Sequence, residues 1–307
     1  MPEIKNPFKR GWKYWLRLLS VGLIGGLLLA AVGYEAIWIN AMVRPARGTV
    51  CCASPADYGL DYEEVVFEGG DGLKLSGWYI PSQNGAAVIL LHGYSGDRQQ
   101  VTHQAAILAE AGYGAFLYDL RGHGESEGEV RSLGWADVAD VPYALAWLQA
   151  RPEVDPQKIG IFGFSVGGQI ALRAAPELED LRAIVVDDPG YVSAAKDAPP
   201  PPNLTERAYH IMNRIDTWGI SLRSGVPVPP GVTEVVGEIS PRPIFFIING
   251  PEDEFGYQLV YHIYTFAGEP KSYWHIPEAG HGGGPKMRPE EYAQRLVEFY
   301  DSTLLGE

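Results

Sequence analysis

Cysteine is almost absent from this chain, and its only two copies, Cys51 and Cys52, are neighbours. Adjacent cysteines cannot staple distant segments, and no Cys/His spacing resembles a zinc site. Neither a disulfide framework nor a structural metal is expected. Positive charge is also scarce: 24 Lys and Arg stand against 38 Asp and Glu, for a net charge of −14. The imbalance is uneven. Lys5, Lys9, Arg10, Lys13 and Arg17 against Glu3 give residues 1–17 a net +4, which leaves −18 on the remainder. So acidic a main body argues against a nucleic-acid surface. Internal repeats are missing, and the one low-complexity patch is the proline run at 199–202. What remains is 307 residues, 46% hydrophobic and 20% charged, enough for one large α/β domain with extensions.

The basic start is followed by a long apolar stretch, "LLSVGLIGGLLLAAVGY" over 18–34. A cleaved signal peptide and a retained anchor compete for it. Signal-peptide apolar regions run to about 15 residues, and this one is longer. Trp12, Tyr14 and Trp15 precede it, and Tyr34 and Trp38 follow it. As a helix, Trp15 to Tyr34 spans roughly 28 Å, with rings at both edges of a hydrocarbon core about 30 Å thick. Those lengths favour a transmembrane anchor over 18–43, with residues 1–17 as a basic cytoplasmic segment. The positive-inside rule then puts the following domain on the extracytoplasmic side. Residues 44–62, rich in Pro, Gly and Ala, read as a linker, and 63–307 as the main domain.

Within that domain, strand and helix patterns alternate. "EEVVFE" (63–68) and "LKLSGWYI" (73–80) flank a Gly-rich turn and read as a hairpin. Further apolar strands are expected near 86–91, 113–119, 158–163, 182–188, 243–249 and 272–276. Helices fall near 98–111, 135–150, 166–175, 256–267 and 289–304. The sum is an eight-stranded, mostly parallel sheet covered on both faces, interrupted by an insertion over about 190–241. In that insertion Asn203 and Glu206 have capping-box spacing, and Leu204, Ala208, Ile211, Met212, Ile215 and Trp218 recur on one helical face. The expectation is a small cap helix whose apolar stripe covers the mouth of a site. A helix packed on the core without substrate contact fits the same periodicity.

One motif sits where such a sheet places chemistry. "KIGIFGFSVGG" (158–168) is a strand, then Gly163-x-Ser165-x-Gly167, then a helix with small residues at its start. Ser165 therefore occupies a sharp strand-to-helix turn, with glycines where larger side chains would collide. A serine hydroxyl needs a neighbouring base to act as nucleophile. Of seven histidines, His281 alone lies in a glycine-rich loop between the last strand and the last helix. The orienting acid must follow a strand and precede that histidine. This leaves Asp187 and Asp188 after the sixth strand, and Glu252, Asp253 and Glu254 after the seventh.

Five segments in this order resemble the α/β-hydrolase superfamily: "LLHGYSGDR" (90–98), "YDLRGHGESEG" (118–128), the Ser165 elbow, "INGPEDE" (248–254) and "PEAGHGG" (277–283). The chain is most similar to single-pass, short-capped serine hydrolases. It also resembles dienelactone hydrolases and the catalytic domain of prolyl oligopeptidases. The resemblance implies a catalytic triad of Ser165, His281 and Asp253, since Asp253 matches the family's Gly-x-x-Asp loop after Gly250. It also implies an oxyanion hole formed by the backbone N–H groups of Val166 and Tyr94, with His92 and His123 ordering the surrounding loops. Asp119, Arg121, Asp137 and Asp140 read as structural.

The leading function is a membrane-anchored serine hydrolase that cleaves carboxylic esters or thioesters without cofactor or metal. Its substrate is then a small acyl compound, lipid-like where the cap is apolar. Two other functions fit the same residues: a peptidase acting on short peptides, and a hydrolase-fold binding protein without catalysis.

Overall fold

The computed structural model describes residues 11–94 and 96–306. Lys5, Lys9 and Arg10 of the basic start therefore lie outside the described residues. Eight strands form one sheet: β1 (Glu63–Glu68), β2 (Lys74–Ile80), β3 (Ala87–Leu91), β4 (Gly114–Tyr118), β5 (Ile159–Phe164), β6 (Leu181–Asp187), β7 (Ile244–Asn249) and β8 (Lys271–Ile276). Their order is β1-β2-β4-β3-β5-β6-β7-β8. The β1–β2 and β2–β4 pairings are antiparallel and all others parallel, so the sheet is mixed. Each strand lies within a residue or two of its place in the apolar pattern.

The helices are α1 (Trp12–Val43), α2 (Thr102–Glu110), α3 (Val141–Gln149), α4 (Val166–Ala174), the single turn α5 (Ala194–Asp197), α6 (Leu204–Ser224), the single turn α7 (Val232–Val235), α8 (Phe255–Phe266), the single turn α9 (Gly284–Met287) and α10 (Pro289–Tyr300). Strand alternation divides the interior in two. Ala87, Ile89 and Leu91 of β3 join a core with α3, α4 and α8, whereas Val88 and Leu90 point to the other core, with α2 and α10. Both faces are thereby sealed, which is what continuous apolar strands require.

Helix α1 is long and apolar enough to cross a membrane, and its most apolar stretch is not buried against the rest of the protein. Its last turns behave differently: Ile39 and Val43 are buried in the domain core. Residues 44–62 are stitched down rather than free. Arg47 donates to the carbonyl of Ser126 at 2.8 Å, Ala53 N–H donates to the Gln99 side-chain oxygen at 3.2 Å, and Tyr62 packs edge-on against Trp78.

Insertion helix α6 starts as its sequence foretells. Asn203 accepts from Glu206 N–H at 3.0 Å and donates to the Glu206 carboxylate at 3.0 Å. The stripe does not behave as expected. Leu204, Ile211, Ile215 and Trp218 are exposed, and Tyr209, Asn213, Asp216 and Ile220 of the opposite side line the site cavity. Periodicity gives the phase of an apolar face; it does not say which environment receives that face.

Candidate active site

Ser165 joins β5 to α4 with φ 52 and ψ −117, a conformation that non-glycine residues seldom adopt. The surroundings hold it there. Ser165 N–H donates to the Asp187 carbonyl at 3.0 Å, while the Ser165 carbonyl accepts from Gly168 N–H at 2.9 Å and Gly190 N–H at 2.6 Å. The flanking glycines are steric necessities. A Cβ on Gly163 would lie 2.3 Å from the Gly167 carbonyl oxygen, and one on Gly167 would lie 2.3 Å from that of Leu91.

His281, carried by the loop after β8, brings Nε2 to 3.0 Å from Ser165 Oγ. Its Nδ1 lies 3.4 Å from Asp188 Oδ2. Asp188 is buried and follows β6 with φ 44. Three donors converge on its carboxylate, each at 2.8 Å: Asn249 N–H, Asn249 Nδ2 and Gly282 N–H. Such a carboxylate is rigidly aimed. Its contact with Nδ1 holds the His281 pKa above the ordinary imidazole value, against the opposing effect of burial.

The structure thus departs from the Asp253 expectation. Asp253 lies exposed in the turn before α8. Among the described residues, the polar side chains that meet the His281 ring nitrogens are Ser165 and Asp188. The cause is sheet topology. β6 is hydrogen-bonded directly to β5, with Asp187 opposite Phe164, so a residue ending β6 is one strand from the elbow. Asp253 is a strand further away and beyond a turn. The pair "DD" directly after the apolar run 183–186 and before Pro189 was the available signal for Asp188.

The neighbouring Asp187 has a different role. It is fully buried, accepting from Asn249 Nδ2 and from the Tyr292 hydroxyl, both at 2.8 Å. Burial, followed by the charge of Asp188, pushes its pKa up to about 7. A carboxyl raised on folding loses stability for the fold as pH climbs from the unfolded value, about 3.9, through the folded one. Asp187→Asn removes that titration. The melting-temperature difference, variant minus wild type, is expected to grow by about 2–4 °C between pH 5 and pH 8. A difference flat with pH would rule out a titrating Asp187.

Val166 N–H is the first of α4 and has no acceptor within its helix. Tyr94 follows β3 on the other side of the site. Among the described residues, neither backbone N–H has a hydrogen-bond acceptor of its own. The Tyr94 loop is fixed from two sides: its carbonyl meets His123 Nε2 at 2.6 Å, and its hydroxyl donates to the Met42 carbonyl of α1. His92 accepts from Leu120 N–H at 3.0 Å through Nε2, so its Nδ1 carries the proton toward the Gly93 carbonyl. Burial lowers the His92 pKa to about 3 and that of His123 to about 4, so both remain neutral braces. Asp119, Arg121, Asp137 and Asp140 are structural: Arg98 pairs with Asp119 at 2.9 Å, Arg121 with Asp140 at 2.7 Å, and Asp137 accepts from Arg121 N–H at 2.8 Å.

Ser165, His281, Val166 and Tyr94 open into a cavity of about 500 Å³, within the usual range for small-molecule sites. Its walls are largely apolar, and two of its residues, Trp38 and Met42, come from the end of α1. No group of His, Cys, Asp and Glu suited to a metal ion occurs among the described residues.

Comparison with known proteins bears on the family and the fold. A family model described as serine aminopeptidase, S33, matches residues 82–221. The uncharacterized protein Rv2307c of Mycobacterium tuberculosis is 30% identical over 77% of this chain and 78% of its own length. The thiohydrolase aneE of Aspergillus aculeatus is 35% identical, over 40% of each chain. Among solved structures, the esterase Pf2001 of Pyrococcus furiosus superposes with a TM-score of 0.68 at 26% identity, covering 86% of this chain and 98% of its own.

Proposed function

Because this chain belongs to the α/β-hydrolase superfamily, we propose that it hydrolyses carboxylic esters or thioesters with Ser165 as nucleophile, His281 as base and Asp188 as orienting acid. The observation that carries this reading is the 3.0 Å approach of His281 Nε2 to the hydroxyl of a strained elbow serine. His281 takes the Ser165 proton as Oγ attacks the acyl carbon. Asp188 holds the ring and stabilises the imidazolium. Charge developing on the carbonyl oxygen meets the N–H groups of Val166 and Tyr94, each such donor contributing about 3 kcal/mol. His281 then protonates the departing alcohol or thiol, and water repeats the sequence on the acyl-enzyme. The apolar walls suit an apolar acyl group, and the relative named as a thiohydrolase supports the thioester alternative. An aminopeptidase reading draws on the family model's description and on Asp216 and Glu254 in the cavity wall, where carboxylates would meet an α-ammonium group.

The same proposal retains α1 as a membrane anchor, with the N-terminus cytoplasmic and the domain outside. A signal-peptide cut beyond Met42 would remove two residues of the cavity wall and the acceptor of the Tyr94 hydroxyl. A fluorophosphonate probe is therefore expected to label the full-length chain in the membrane fraction, and to lose that label with Ser165→Ala. Absence of labelling would end the serine-hydrolase reading. A labelled, soluble chain lacking its first 40 or so residues would end the anchor reading.

A further inference from the structure

Among the described residues, the face of α6 turned away from the cavity is left uncovered. Leu204, Ile211, Ile215, Trp218 and Leu222 are 81%, 60%, 44%, 68% and 73% exposed. At 3.6 residues per turn, all five fall within an arc of about 60°, in a stripe about 27 Å long. Exposed single apolar residues are commonplace, but an unbroken row on one helix is not. Arg207 and Arg214, both exposed, run along one border of the stripe, a sign opposite to that of the acidic domain. The helix is joined to the anchor as well. Ile39 of α1 fills the notch at Gly219, where an added Cβ would lie 2.3 Å from its Cδ1, and Arg223 donates to the Asn40 side chain at 2.8 Å. The apolar surface of α1 thus continues onto the outer face of α6.

We propose that α6 is a membrane-surface helix. Its stripe sinks into the headgroup–acyl boundary of the bilayer that holds α1, and its arginines face anionic headgroups. The commitment to lipid rests on this continuity with the anchor and on the bordering positive charge. Since the opposite side of α6 lines the cavity through Tyr209, Asn213 and Ile220, the helix is a partition between bilayer and site. Building on the hydrolase reading above, the preferred substrate is an ester or thioester with a long acyl chain dissolved in the membrane, delivered along α1 and α6 rather than from bulk water.

The test uses the full-length chain with Cys51 and Cys52 replaced by serine. A single Ile215→Cys or, as control, Glu179→Cys is labelled with an environment-sensitive fluorophore. The protein is reconstituted in phosphatidylcholine vesicles with or without phosphatidylglycerol, containing a nitroxide-bearing lipid. The label at 215 is expected to be blue-shifted and quenched at least about twofold more than that at 179, with stronger quenching in the anionic vesicles. Equal quenching at both sites overturns the proposal, and efficient cross-linking of unlabelled Ile215→Cys chains would then assign the stripe to a second copy. A separate arm tests delivery. Ile215→Glu with Trp218→Glu is expected to lower turnover of a vesicle-borne long-chain ester about tenfold, with a water-soluble short ester changed by less than about twofold. Equal loss on both esters overturns delivery from the membrane. No turnover of either ester by the parent chain would sink the hydrolase reading while the quenching result still decides the docking.

Discussion

Replacement of Ser165 by alanine is expected to lower turnover of a short p-nitrophenyl ester by about 10⁴–10⁶-fold, with the melting temperature close to that of the parent. The hydroxyl is small and its loss opens little space, so the fold should persist. Alanine inherits the positive φ that Ser165 already bears, so the strain of the elbow is nearly unchanged. His281→Ala is expected to cost a similar factor, because without the base Oγ keeps its proton. The double variant should be little worse than either single one, since the two side chains act as one unit across their 3.0 Å contact. Additive losses, or Ser165→Ala with more than about a tenth of parent activity, would mean that some other group carries the reaction.

Much of this was legible in the sequence because the relevant physics is local. Apolar runs located the central strands, since a sheet covered on both faces admits little else, and the Gly-rich turn at 69–72 located the β1–β2 hairpin. The glycines at 163 and 167 revealed the elbow because only a missing Cβ permits that turn. Asn203 and Glu206 marked the start of α6 through a cap that needs only four consecutive residues. What stayed hidden depended on contacts between distant segments. The hydroxyl of Tyr94 reaches Met42, and Ile39 reaches Gly219; neither pairing leaves a pattern in sequence. Residues 44–62 looked like a tether because irregular backbone carries no period, yet Arg47 and Tyr62 fasten them to the domain. The α6 stripe was found with the correct phase and the wrong destination.

The acid is the sharpest case, and it yields the other large effect. Asp188→Asn is expected to reduce kcat by about 10³–10⁴-fold with KM little changed, because an amide can present its N–H to the ring and select the unproductive tautomer. Asp253→Asn, at an exposed turn, should leave kcat within about twofold, as surface changes away from a site usually do. Three N–H groups point at the Asp188 carboxylate, so the amide variant also loses an acceptor and some stability. Rates must therefore be normalised to folded protein, and a second readout separates orientation from damage. The acid limb of the kcat/KM profile reports the pKa of His281, since the imidazole must be neutral to accept the serine proton. Asp188 holds that pKa up, so its removal should move the limb to lower pH, whereas loss of Asp253 should leave it in place. A purely structural defect lowers the plateau without moving the limb. If Asp253→Asn shifts the limb and abolishes turnover while Asp188→Asn does neither, the acid comes from the turn after β7, and the loop carrying His281 must close differently during catalysis.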